Sequence, residues 1–162
     1  MTLVFGNLVD GLDWIPMDLN QQASPSYFWN EGGLLKDAPI DFGATFGENM
    51  FVTSKPIDRP RFNRNPLRVT PGFTVPRHHH NMDEMLFMLA GEYHIEHYDN
   101  EEPETVIVRP GDIFVSRAGT AYTMTAGSEG ATYIETWPRP VSELETYWHN
   151  YGWVEAAKGA NQ

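Results

Sequence analysis

The 162-residue chain contains no cysteine. That excludes disulfide staples, thiolate metal ligands and a cysteine nucleophile, and leaves nitrogen and oxygen as the donors for any bound metal. Positive charge is scarce: eleven Lys and Arg stand against twenty-two Asp and Glu, a formal net charge of -11. Such a surface repels phosphate backbones and anionic headgroups, so neither nucleic acid nor a membrane is an expected partner. No apolar run reaches membrane-spanning length, and Met1 to Trp14 lacks the cationic region and continuous apolar core of a secretory signal. The expected location is cytoplasmic.

Apolar and aromatic residues are plentiful. They make up 41% and 13% of the chain, with five Trp and nine Phe, which is too much for a disordered polypeptide. The length suits one domain with a real core. Residues 1–41 are broken by Asp10-Gly11, Pro16, Pro25, Gly32-Gly33 and Pro39, and read as an extended arm. Its Trp14, Tyr27, Phe28 and Trp29 are costly to leave in water, so the arm is expected to lie against the main domain or a second subunit.

Residues 42–140 read as an antiparallel sandwich or barrel. Short β-favouring runs alternate there with Gly, Pro and Asn: Leu67 to Val69, Phe73 to Val75, Met85 to Leu89, Tyr93 to Tyr98, Thr105 to Val108, Ile113 to Val115 and Thr132 to Thr136. The run Met85 to Ala90 is apolar on both faces and should be covered on both sides, and a homodimer would hide an outward Met85, Phe87 and Leu89. Residues 141–162 are a C-terminal appendage, in which Ser142 to Tyr151 is predicted as a helix with Ser142 as N-cap and Glu145 three residues on.

Chemistry concentrates between Pro71 and Glu84. In a strand, successive side chains alternate in direction, so His78 and His80 share a face and His79 points away. Asn81, Met82 and Asp83 can turn the chain and bring Glu84 back beside the two imidazoles, giving two nitrogens and one carboxylate with coordination positions left open. A purification tag is excluded as an explanation by the short, internal run. A nucleophilic triad lacks a Ser in a Gly-flanked elbow. A solvated polar turn is the bland competitor, and metal binding leads.

The spacing Gly72, His78, His80, Glu84, Gly91 resembles the first motif of the cupin superfamily without a gap. The second motif is half met: Gly111 and Gly119 are in register, but Arg117 stands at the family's Pro and Tyr122 at its third metal-binding His. The resemblance covers roughly residues 67 to 136. It implies an all-β, cupin-type jelly-roll barrel with the metal inside, flanked by the arm and the short C-terminal helix. It implies metal ligands His78, His80 and Glu84, with Tyr122 as a phenolate ligand, as an acid-base group beside the metal, or simply packed. One divalent ion is expected, Fe(II) first, with Mn, Zn, Ni or Co as alternatives.

Around this set, Leu86, Met88 and Met124 are expected to line an apolar interior suited to a small substrate with an apolar or aromatic body. Arg68 reads as a solvent-face residue sooner than a substrate anchor, and His94 and His97 as rim positions. Tyr133, Glu135 and Trp137 share a face, but apolar Ile134 on the other side argues that Glu135 points outward. The functional expectation is a mononuclear metal enzyme. A non-haem Fe(II) dioxygenase of a hydroxylated or dicarbonyl substrate comes first, with Glu84 and Tyr122 in the catalytic machinery. A redox-neutral lyase, isomerase or hydrolase and a non-catalytic binding module are the alternatives.

Overall fold

A computed structural model describes residues 7–10, 13–17, 26–30, 33–34, 46–53, 63–97 and 102–149. Eleven strands carry the described architecture: β1 Trp14–Pro16, β2 Ser26–Asn30, β3 Gly33–Leu34, β4 Met50–Thr53, β5 Arg64–Val69, β6 Thr74–His80, β7 Glu84–His97, β8 Glu104–Val108, β9 Ile113–Ser116, β10 Tyr122–Thr136 and β11 Thr146–His149. They form one curled sheet in the order β1-β4-β5-β10-β6-β11-β2-β3, with β7 joining β10 to β8 and β9. All pairings are antiparallel except β11 with β2. This is an all-β jelly-roll arrangement.

Period-two alternation decides what faces inward. Leu67 and Val69 of β5, Leu86, Met88, Tyr93 and Ile95 of β7, and Tyr122, Met124, Ala126 and Tyr133 of β10 form one core cluster. Strand β10 is the organiser. Its first part pairs with β6, its last part with β5, and most of its length with β7. It therefore carries Tyr122 opposite His78.

The two runs read as separate strands, Met85 to Leu89 and Tyr93 to Tyr98, fall in the single long β7 as far as His97, and Tyr98 lies outside the described residues. The junction is Gly91, at φ 70°, where an added Cβ would lie 2.0 Å from the Gly130 carbonyl oxygen. Only glycine permits this approach of β7 to β10. Gly91→Ala should lower unfolding free energy by about 3 kcal/mol, from a left-handed φ plus a backbone clash, read as a drop in the denaturant midpoint.

The predicted C-terminal helix is corrected. Within Ser142 to Tyr151 the structure has a single 3-10 turn, Val141–Glu143, followed by β11; residues 150–162 lie outside the described residues. Thr146 and Trp148 are buried while Tyr147 and His149 are half-buried, a strand's alternation. β11 pairs with β6 through Thr146 opposite His80 and Trp148 opposite His78. Tertiary pairing with β6 thus overrides a local capping signal.

Three pieces of the N-terminal arm are strands of the same sheet, β1 beside β4, β2 beside β11 and β3 beside β2. The Arg68 guanidinium lies 4.5 Å from the centroid of the Trp14 ring, and its Nε donates to Thr132 Oγ1 at 3.2 Å. Arg68 is thus an outer-face anchor for the arm.

Candidate metal and substrate site

The turn that delivers Glu84 is tied on both sides. Asn81 exchanges hydrogen bonds with Glu145, its amide nitrogen donating to the Glu145 carbonyl at 3.2 Å and its Oδ1 accepting from the Glu145 amide at 2.9 Å. Asp83 Oδ1 accepts from the Ala118 amide at 2.9 Å, and the Gly119 amide donates to the His80 carbonyl at 2.8 Å. These contacts fix where β6 ends and β7 begins.

His78, His80 and Glu84 are all buried and converge. The His78 and His80 ring centroids are 5.1 Å apart, and His80 Nε2 is 3.6 Å from Glu84 Oε1. His78 Nδ1 lies 2.7 Å from the Pro76 carbonyl, so it carries the proton and leaves Nε2 as the lone-pair donor. His80 Nδ1 faces the Glu145 carbonyl and, at 3.2 Å, the Thr146 hydroxyl. Partners of this kind set the tautomer and aim of a ligating imidazole.

Burial, more than any neighbour, pushes His78 down to about 3 and His80 down to about 4, so both rings are neutral, the form that binds metal. Burial pushes the Glu84 carboxyl up, against the opposing hydrogen bond from Tyr122. Glu84 Oε2 accepts the Tyr122 hydroxyl in a very short contact, while Glu84 Oε1 makes no well-formed hydrogen bond and the carboxyl has the Trp137 indole as a neighbouring donor. Burial, then the adjacent Glu84, raises Tyr122 well above the usual phenol range. Tyr122 is therefore a protonated donor to Glu84.

Among the described residues, no group of three His, Cys, Asp or Glu side chains stands as placed to hold a metal ion. The donor chemistry nonetheless fits a divalent ion: two neutral imidazoles with Nδ1 occupied, and a buried carboxylate oxygen that makes no well-formed hydrogen bond. Glu84 is held through its other oxygen by Tyr122.

Several expectations are redistributed. Leu86, Met88 and Met124 are interior. His94 pairs with Glu92 at 2.9 Å and is 43% exposed in its side chain, a rim position. His79 points away from the site, stacking on Tyr147 with centroids 4.8 Å apart and approaching His149 Nε2 at 2.7 Å through Nδ1. The outward reading of Glu135 is corrected: Tyr133 and Trp137 are buried, and Glu135 alternates with them on the inner face. Ile134 is half-buried on the outside opposite Phe87, which explains its apolarity without an inward turn. Sequence reasoning missed Thr146, Trp148 and Ser116, all buried at the site's edge. Trp148 packs 4.8 Å from His78, and the T-Y-W-H alternation was the available signal.

An all-β barrel holding two imidazoles and a carboxylate on its inner wall defines a class of candidate metal-binding jelly rolls. Residues 67–137 match the family model described as a cupin domain. Among solved structures, oxalate decarboxylase from Bacillus subtilis is similar at 17% identity and a TM-score of 0.50, over 59% of this chain and 27% of that one. Vicilin from hazelnut, Corylus avellana, is similar at 21% identity and a TM-score of 0.50, over 62% of this chain and 32% of that one. The chain thus aligns to roughly a third or less of each of these proteins. No curated protein matches the sequence.

Proposed function

We propose that the protein is a mononuclear metal-dependent enzyme acting on a small organic molecule, with His78, His80 and Glu84 as ligands. The observation that carries this is the conjunction of two buried neutral imidazoles with the buried Glu84 carboxyl, whose Oε1 lies 3.6 Å from His80 Nε2. A two-His, one-carboxylate set leaves positions open for substrate oxygens and for O2, which favours Fe(II) and dioxygenation of a hydroxylated or dicarbonyl substrate. When bound, the ion supplies Lewis acidity or oxygen activation.

Tyr122 favours a second reading. A phenol kept protonated by burial and hydrogen-bonded to a ligand can pass a proton to or from a bound substrate, as a redox-neutral lyase or isomerase requires. Tyr122→Phe should retain metal near wild-type stoichiometry and lose turnover by about 10²-fold. Elemental analysis and assays with and without O2 test both readings. Iron with O2-dependent turnover supports the first, and anaerobic turnover with Zn or Mn the second. Loss of metal from Tyr122→Phe would place the tyrosine in metal binding, as a ligand or through its hold on Glu84.

A second copy of this chain is the proposed partner. Met85 faces Val115 and Phe87 faces Ile113 across β7 and β9, and these four are 37%, 48%, 38% and 57% exposed. At on the order of 150–200 Å² per fully exposed side chain, they present roughly 300 Å² of continuous apolar surface. That is about two thirds of the apolar share of an ~800 Å² half-interface. Light scattering should give a dimer mass for wild type and a monomer mass for Phe87→Lys with Ile113→Lys. A monomeric wild type at micromolar concentration removes the proposal.

A further inference from the structure

Among the described residues, several buried polar atoms that make no well-formed hydrogen bond gather on one inner wall. Asn65 Oδ1 is buried without a hydrogen-bond partner, the buried Tyr93 and Tyr133 hydroxyls meet each other without a well-formed bond, and Glu84 Oε1 is buried with the Trp137 indole as the carboxyl's neighbouring donor. Asn65 alternates with Leu67 and Val69 and so faces the interior, opposite Glu135 of β10. Tyr133, two residues before Glu135, is opposite Leu67, and its ring meets that of Tyr93 edge-on with centroids 5.0 Å apart. Both phenols lie within electrostatic reach of Glu135, and Tyr133 also of Glu84. Each buried polar group short of a well-formed bond carries a desolvation cost, so a cluster of them on one wall calls for a polar occupant.

The charge of the wall selects the occupant's class. Among the described residues the inward positions of β5, β6, β7, β9 and β10 include no Lys or Arg, while Glu84 and Glu135 both face this space. An anionic ligand would meet carboxylates with no fixed cation. Two phenol donors, an amide oxygen and a carboxylate suit a molecule that both donates and accepts.

We propose that Asn65, Tyr93, Tyr133 and Glu135 form a subsite for the neutral, hydroxylated portion of the substrate, a polyol or hydroxycarbonyl compound. Its oxygens accept from Tyr93 and Tyr133, and its hydroxyls donate to Asn65 and Glu135. This deepens the enzyme reading and rests on the barrel interior being the substrate site, but it does not require the metal to be in place.

The test uses chelator-treated full-length protein and saturation-transfer NMR with erythritol, xylose and dihydroxyacetone against tartrate, oxalate and gluconate. The neutral probes should bind and the carboxylates should not. Tyr133→Phe and Tyr93→Phe should each weaken binding at least 10-fold while leaving the unliganded melting temperature unchanged or higher, since each removes a buried hydroxyl that makes no well-formed hydrogen bond. A purely structural role would instead lower the melting temperature. Equal binding by the Phe variants, preference for the carboxylates, or no binding by any neutral probe, leaving ordered water as the occupant, overturns the proposal. Probe binding that survives in a His78→Ala variant shown by elemental analysis to lack metal would keep the subsite separate from the metal. Probe binding in a wild type that takes up no metal would retain the subsite and sink the metal-enzyme reading.

Discussion

Glu84→Gln should strip the protein of stoichiometric metal and of turnover, yet leave the metal-free fold as stable as before or firmer. Glu84 is 1% exposed, and burial raises its carboxyl, so the charged form is uncomfortable without an ion beside it. Glutamine keeps the length, still accepts from Tyr122, and removes the charge. What it cannot do is offer an anionic oxygen beside His80. Second-sphere changes alone cost about 10–100-fold in metal affinity, so loss of a carboxylate ligand should cost about 100-fold or more. Elemental analysis and thermal melting, read together, separate ligation from folding. Full metal occupancy in Glu84→Gln would mean that the carboxylate is not a ligand. A large fall in the metal-free melting temperature would mean that its charge is structural.

The parts of this site readable in the sequence are those governed by short-range geometry. His78 and His80 share a face because strand alternation is fixed, and Glu84 follows because three turn residues suffice to bring the chain round. Glu135 shows the limit of the same geometry. Apolar Ile134 argues for an interior position, whereas it covers Phe87 on the outside of β7; alternation gives two faces but not which of them is inside. The C-terminal strand was illegible because its stability comes from β6 and β2, more than 60 residues away in sequence, while its capping-box signal is local. The merging of two runs into β7 depended on Gly91, whose role is visible only once Gly130 lies against it. The protonated state of Tyr122 likewise needed burial and the Glu84 contact, neither of which spacing encodes.

Acid should destabilise the metal-free protein through its buried histidines. His78 and His80 are pushed from 6.5 down to about 3 and about 4, chiefly by burial. A depressed pKa means that the unfolded chain takes up protons that the folded chain refuses. Stability is therefore complete above pH 6.5 and is lost as pH falls towards 4. Glu84 has the opposite sign. Its raised carboxyl contributes stability at low pH that is lost as pH rises above 4.5. Two histidines against one carboxyl leave a net uptake on unfolding that rises from near zero at pH 6.5, where each unfolded imidazole is half protonated, to about one proton near pH 5. At about 1.4 kcal/mol per proton per pH unit, that is about 2 kcal/mol over the window. Denaturant midpoints of chelator-treated protein at pH 6.5, 5.5 and 4.5 should fall accordingly. The fall should steepen in Glu84→Gln, which removes the opposing group, and become shallower in His80→Gln, which removes one of the two drivers. Both variants are compared with wild type at each pH, so the background titration of the many surface carboxylates cancels. A profile unchanged by either substitution would mean that these side chains reach water, and the buried donor set would have to be abandoned.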